Sequence, residues 1–390
     1  MKKLISGILS VWLWMGWVSA QAQLEGDTAF WQSQILTIST DAEQLDTLQQ
    51  LADKIEGHRF FFMGEQHWKS INRDLQFSFL TYLYEHAGVR NVILETSYSY
   101  GYLINHFLDN GDTTQLRQVV ENWAACPVDQ YNLWKMVYAF NQTKPKDDQI
   151  RVTGIDLEYA PGMTIQVLKM LNPKGISPES YLTQFDGLAM AQGHLLYSKR
   201  ELRRLFIKLD KQIEKDPEPF KAHWGDQYPL FKMILQNTLD GYNFTLVRAF
   251  LFPKVWEERE IRMYRNFLQM TPSMQVGGCF AQFGALHTDL SRSMSWKFPS
   301  IAKRLNESED SPYEGQVLTF SRFIRKFGNQ YKQLGEYEAL LQMVKYIDLE
   351  LDQPMVMVDM RTENTPFPVM SQNFQFLIVI DPMLEGRPCD

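Results

Sequence analysis

Cysteine is scarce: Cys126, Cys279 and Cys389 are the three in a chain of 390 residues. Three scattered thiols cannot form the disulfide framework of a small secreted domain, so the fold must rest on its own apolar core. Cys279 lies in an apolar stretch and reads as a buried thiol, which leaves Cys126 and Cys389 as the one pair able to bridge. Runs of basic residues are absent as well. The formal net charge is −7, and nothing in the chain can track a phosphate backbone, so nucleic acid is excluded as a partner. No serine or cysteine stands in a strand-to-helix nucleophile elbow. No low-complexity linker divides the chain, and after the first 20 residues no segment is long and apolar enough to span a bilayer.

The compartment is written at the N-terminus. Lys2 and Lys3 precede an apolar stretch from Leu4 to Ala20 that ends in small residues, with Val18-Ser19-Ala20 and Ala20-Gln21-Ala22 both acceptable for cleavage. That is the pattern of a secretory signal peptide over residues 1–22, and it points to a secreted, periplasmic protein. Removing the two lysines takes the net charge to −9 and leaves about 370 residues. A chain of that size can bury a substantial core, and the 13% of aromatic residues must largely lie inside it. Residues 23–390 read as a single α/β domain.

Short apolar strands separated by amphipathic helices fill most of this length. Strands are expected at 59–63, 91–94, 149–154, 275–283, 316–320 and 376–380, each bounded by glycine, a charge or a helix signal. Between the first two, residues 72–87 place Leu75, Phe79, Tyr82, Leu83 and His86 on one helical face, and Gly88 follows as a stop. Strand, helix, strand in that order implies a parallel pair. The stretch from about 161 to 270 is charged and helical in period, clearest over 199–216 and 228–269, and reads as a helical insertion into the α/β core. The expected fold class is therefore α/β, with a central, mostly parallel sheet.

Chemistry gathers where the strands end. The first runs into Gly64-Glu65-Gln66-His67, the second ends in Glu95, and the third ends in Gly154-Ile155-Asp156-Leu157-Glu158. C-terminal strand ends lie along one edge of a parallel sheet, where α/β proteins bind ligands. Residues 276–283 lead likewise into Gly284-Ala285-Leu286-His287, so Gly-x-x-His occurs twice at a strand end. The repetition suggests duplicated strand-GxxH-helix halves with a site built between them. Glu65, His67, Glu95 and His287 are the candidate catalytic set. Asp156 and Arg73 are candidates for substrate binding, Arg73 because it follows the first motif by about one helical turn and is able to pair with a carboxylate or an anionic substrate.

The paired Gly-x-x-His motifs with an intervening strand-end Glu resemble the superfamily that joins erythromycin esterases, ChaN-like haem-binding proteins and the Tiki/TraB group. Val152-Thr153-Gly154-Ile155-Asp156 is similar to the Gly-x-Asp strand of the esterase branch, residues 374–380 resemble its C-terminal strand, and Gly64-Glu65-Gln66-His67 is similar to the ChaN form. The resemblance covers residues from about 55 to 160 and 274 to 382. Its esterase branch implies metal-free hydrolysis, its Tiki branch metal-assisted hydrolysis, and its ChaN branch haem binding.

The residues themselves support the first two readings. An imidazole beside a carboxylate is a good general base for water, with His67 as the base and Glu65 or Glu95 as its orienting partner. His67, Glu95 and His287 are also ligand types that suit a divalent metal such as manganese or zinc. Either way the substrate is a small molecule or a peptide carrying an ester or amide. The rival class is a haem- or iron-binding protein, for which Tyr98, Tyr100 and Tyr102 stand close after Glu95, and a degenerate, non-catalytic member is the third. The mature chain is expected to begin near Gln21 or Gln23 and to be recovered as a soluble periplasmic species. Intact-mass measurement checks this, and full-length chain in the membrane fraction would contradict it.

Overall fold

In a computed structural model of the protein, the described residues are 34–38, 50–67, 71–121, 126–173, 199–247, 254–291, 298–324, 354–361 and 370–381, with a few isolated positions between them. The signal-peptide residues and Cys389 lie outside the described residues. Cys126 is disulfide-bonded, and Cys279 is a free buried thiol as expected. Among the described residues no helix is long and apolar enough to cross a membrane.

An eight-stranded sheet organises the chain. Its strands are β1 (Ile35–Thr37), β2 (Phe60–Glu65), β3 (Val89–Ser97), β4 (Arg151–Asp156), β5 (Gly278–Gly284), β6 (Val317–Ile324), β7 (Met355–Asp359) and β8 (Phe376–Ile380). Their order across the sheet is β1-β7-β8-β6-β2-β5-β3-β4. The six strands from β8 to β4 run parallel, and β7 is antiparallel to both of its neighbours. The six expected strands are all present, several with shifted ends. β1 and β7 were not expected from the sequence.

β2 shows why such a run becomes a central strand. Every residue from Phe60 to Glu65 is buried, and successive side chains point to opposite faces. Phe61 and Met63 enter the core layer that holds Leu75, Phe79 and Phe320. Phe60 and Phe62 enter the other, with Phe267, Phe283 and Tyr313. A strand covered on both faces needs no polar alternation, which is why it reads as a continuous apolar run.

Helices clothe the sheet: α1 (Ile71–Ala87), α2 (Tyr98–Asn110), α3 (Thr113–Glu121), α4 (Pro127–Gln142), α5 (Pro161–Leu171), α6 (Lys199–Lys215), α7 (Glu218–Trp224), α8 (Tyr228–Val247), α9 (Lys254–Met270) and α10 (Ile301–Glu307). The stretch from 161 to 270 is helical where described, apart from a small hairpin of Met190–Ala191 with His194–Leu195. α9 is more than part of an insertion. Asn266 on it donates to the Ile155 carbonyl of β4 at 2.8 Å, so this helix is bonded directly to the sheet.

The two Gly-x-x-His strands are neighbours. β2 and β5 pair in parallel with Gly64 opposite Phe283 and Glu65 opposite Gly284. The segment after Gly284 is a short 3-10 turn, Ala285–Thr288, and not an immediate helix. Both motifs depend on close approach. A Cβ at Gly64 would meet the Thr288 hydroxyl at 2.9 Å and the Ala285 Cα at 3.2 Å, so only glycine lets the second turn lie against the first.

Candidate active site

The C-terminal ends of β2, β5, β3 and β4 bring Glu65, His67, Glu95, Asp156 and His287 into one connected cluster. Glu65 ends β2 in a buried position. One of its oxygens lies 2.9 Å from His67 Nδ1. The other accepts from Gln282 Nε2 at 2.5 Å and from Arg73 at 3.3 Å. Burial alone would raise the Glu65 pKa, but Arg73 and His67 outweigh it and hold the carboxyl below its ordinary value.

His67 is half-exposed, with 51% of its side chain open. Its pKa is raised, first by the bond to Glu65 and against the effect of burial, with the Glu95 charge adding to the rise. The turn that carries it is tied down: Arg322 donates to the carbonyls of Gly64 and Gln66 at 3.3 and 3.2 Å, and Asn72 donates to Gln66 at 3.0 Å. Gly284 makes room for the ring. A Cβ there would stand 2.9 Å from His67 Nε2 and 3.3 Å from Glu95 Oε2.

Glu95 is aimed by an irregularity in its strand. The β3–β4 register shifts between Leu94 and Ser97, and such a bulge redirects side chains next to it. One oxygen of Glu95 accepts from the Gly284 amide at 2.7 Å. The other lies 2.7 Å from Arg259 Nη2 and 3.0 Å from His287 Nε2. Burial pushes this carboxyl up, yet the His287 and Arg259 charges hold it well below the usual range.

His287 is buried, unlike His67. Its Nδ1 bonds to Glu260 on α9, and the second oxygen of Glu260 accepts from the Ile301 amide at 2.6 Å. Burial lowers the His287 pKa, but Glu260 and Glu95 on either side raise it to about 10. At neutral pH this ring is an imidazolium. The two histidines therefore differ in kind, one open and close to titration, the other locked in its charged form.

Arg259 lies between these groups. Its Nε donates to both oxygens of Asp156 at 3.0 and 3.2 Å. Its Nη2 reaches Asp156 at 2.5 Å and Glu95 at 2.7 Å, and its Nη1 lies 3.2 Å from His287 Nε2. Sequence reasoning missed both Arg259 and Glu260, which sit in a helix crowded with charges. The signal was spacing: Val255, Arg259, Met263 and Phe267 fall four residues apart, and all four are buried.

Two residues expected to bind substrate do something else. Asp156 is buried and engaged by Arg259. Arg73 is buried beneath Glu65, with Gln76 as a further partner at 2.6 Å, so it serves the carboxylate and not an incoming anion. Glu158 accepts from the Ser99 amide at 3.0 Å and the Thr164 hydroxyl at 2.9 Å, and thus anchors α2 and α5. His223 is buried as well, with its Nε2 2.7 Å from Asn172 Oδ1.

The cluster does not fit a divalent cation. Both ring nitrogens of His287 already lie on carboxylates, Nε2 on Glu95 and Nδ1 on Glu260. The guanidinium of Arg259 occupies the place between Asp156 and Glu95 that a cation would share. Among the described residues no group of three or more His, Cys, Asp or Glu is arranged to hold a metal. Burial raises the pKa of Tyr98, Tyr100 and Tyr102 on α2.

No family model matches the sequence, and no curated protein matches it. Solved structures do. A Bacillus cereus protein aligns with a TM-score of 0.62 at 15% identity, over 92% of this chain and 97% of its own. A succinoglycan biosynthesis protein aligns with a TM-score of 0.63 at 12% identity, over 92% and 96% of the two chains. A histidine-to-asparagine variant of the erythromycin esterase EreC in its open conformation aligns with a TM-score of 0.60 at 12% identity, over 89% and 97%. The chain thus adopts the erythromycin esterase-like α/β fold.

Proposed function

We propose that the protein is a hydrolase in which His67 activates a water molecule for attack on an ester or amide carbonyl. The observation that carries this reading is a half-exposed imidazole whose Nδ1 is fixed on a buried carboxylate. Glu65 accepts a hydrogen bond from Nδ1–H, which leaves the Nε2 lone pair to receive a proton from water. The water oxygen then bonds to the carbonyl carbon, and negative charge moves onto the carbonyl oxygen. Arg259 and His287 stand behind Glu95, each paired with carboxylates, and hold that carboxylate in place beside the strand end. As the tetrahedral intermediate collapses, the bond to the alcohol or amine breaks. The leaving group takes the proton back from His67, giving a carboxylic acid and restoring the base.

His287 cannot share the base role, because its charged form is held up to about 10. Glu95 is the hinge of the arrangement. It binds both cations and, through the Gly284 amide, ties them to the strand that faces His67. The esterase name of one structural neighbour supports ester hydrolysis as the reaction class.

His67→Ala is expected to keep the fold by circular dichroism and to lower the hydrolytic rate by roughly 10² to 10⁴. Unfolding of that variant would mean that His67 supports the core. The base works only when neutral, and its pKa lies above the ordinary 6.5. The acid limb of kcat/KM should therefore fall above pH 6.5, with activity rising as pH increases through it. A limb at carboxylate pH would point to another base. Gly284→Ala should push His67 off its position and cost on the order of 10²-fold in rate with the fold retained. Unchanged activity would show that the close approach at Gly284 is dispensable.

A further inference from the structure

β2 and β6 diverge at the edge of the site. Their ladder runs from Phe60 opposite Val317 to Met63 opposite Phe320 and stops there. β2 continues to Glu65 along β5, and β6 continues to Ile324 along β8. Beyond Met63 the β2 backbone no longer pairs with β6, so its carbonyls on that side need donors of another kind. Arg322 supplies them. Leu318 and Phe320 belong to the core layer on one face of the sheet, and Arg322, two residues further along β6, continues their row past the edge of the core. Its Nε donates to the Gly64 carbonyl at 3.3 Å and its Nη2 to the Gln66 carbonyl at 3.2 Å.

Those two carbonyls bracket the Glu65–His67 pair. A peptide unit is planar, so a fixed carbonyl also fixes the amide and Cα of the residue that follows. The residue after Gly64 is Glu65, and the residue after Gln66 is His67. One guanidinium therefore grips both peptide units that lead into the 2.9 Å Glu65–His67 bond. A planar fork suits the task, because its two donors come at a set spacing and less freedom is lost for each bond formed. Asn72 on α1 also donates to Gln66, at 3.0 Å, and Arg322 joins the two units.

We propose that Arg322 is a positioning residue for the Glu65–His67 pair: its guanidinium takes the place of the ladder where β2 and β6 diverge and so sets the imidazole against its carboxylate. The effect on hydrolysis rests on the hydrolase reading, whereas the effect on the Glu65–His67 bond does not. Around His67 stand Glu65 on β2, Glu95 on β3 and His287 after β5, with Arg73 of α1 behind Glu65. The bond to Glu65 is the foremost cause of the raised His67 pKa, so loosening that bond lets it fall toward 6.5. Removing a neighbouring positive charge works in the opposite direction and raises an imidazole pKa. The direction of the change therefore separates lost positioning from lost charge.

The test follows the histidine ring signals by NMR through a pH titration of the mature chain, with His67 assigned by its absence in His67→Ala. In Arg322→Ala the His67 pKa should shift down toward 6.5 while circular dichroism stays native. With an ester that the wild type hydrolyses, kcat should fall about tenfold or more and KM should stay within about twofold, because a misplaced base slows the chemical step and leaves binding alone. A His67 pKa that stays or rises overturns the proposal. So does a raised KM with kcat unchanged, which would make Arg322 a substrate contact. If Arg322→Ala unfolds, Arg322→Lys decides by the same readouts, since it keeps the charge but not the fork. A downward shift in pKa together with no ester hydrolysed by the wild type would refute the hydrolase reading and leave the positioning role standing.

Discussion

The buried guanidinium of Arg259 is the interaction on which the rest of the site depends. It comes from α9, crosses to the end of β4 to bind Asp156, reaches the end of β3 to bind Glu95, and touches His287 beyond β5. A charge removed from water is tolerated only with close partners, and deleting one member of such a group typically costs about 3–5 kcal/mol. Its carboxylate partners hold it in its charged form against burial, Asp156 foremost and then Glu95. The network therefore fixes the relative positions of three strand ends and one helix.

Around that centre, the two histidines have been separated by environment. His287 lies between Glu260 and Glu95 and stays charged, whereas His67 has one carboxylate behind it and solvent in front. Two groups of the same type thus supply different chemistry, a fixed positive charge and an exchangeable proton site. The separation rests on backbone detail. The shift in register before Ser97 aims Glu95, and the missing Cβ of Gly284 leaves room for both His67 and Glu95 over the strand end.

The strand-borne half of this arrangement was open to sequence reading. Glu65, Glu95, Asp156 and His287 follow apolar runs that end abruptly, and burial on both faces of a parallel sheet makes such runs conspicuous. The helix-borne half was hidden. Arg259 and Glu260 sit among Glu257, Glu258, Arg262 and Arg265, and a charged helix of that kind ordinarily marks a solvated face. Arg73 was ambiguous for the same reason, since a helix period alone does not say whether a polar residue on the inner face has found a partner. β1 was too short to register, and β7 is a run of five buried residues paired antiparallel, without the following helix that marked the others.

In the proposed hydrolysis, His67 held on Glu65 activates water without a metal ion. The most direct measurement is ester hydrolysis by the purified mature chain before and after exhaustive chelation, with bound metal quantified in the same samples. The rate is expected to survive chelation, with bound metal far below one ion per chain. A rate lost with chelation and restored by zinc or manganese would contradict it.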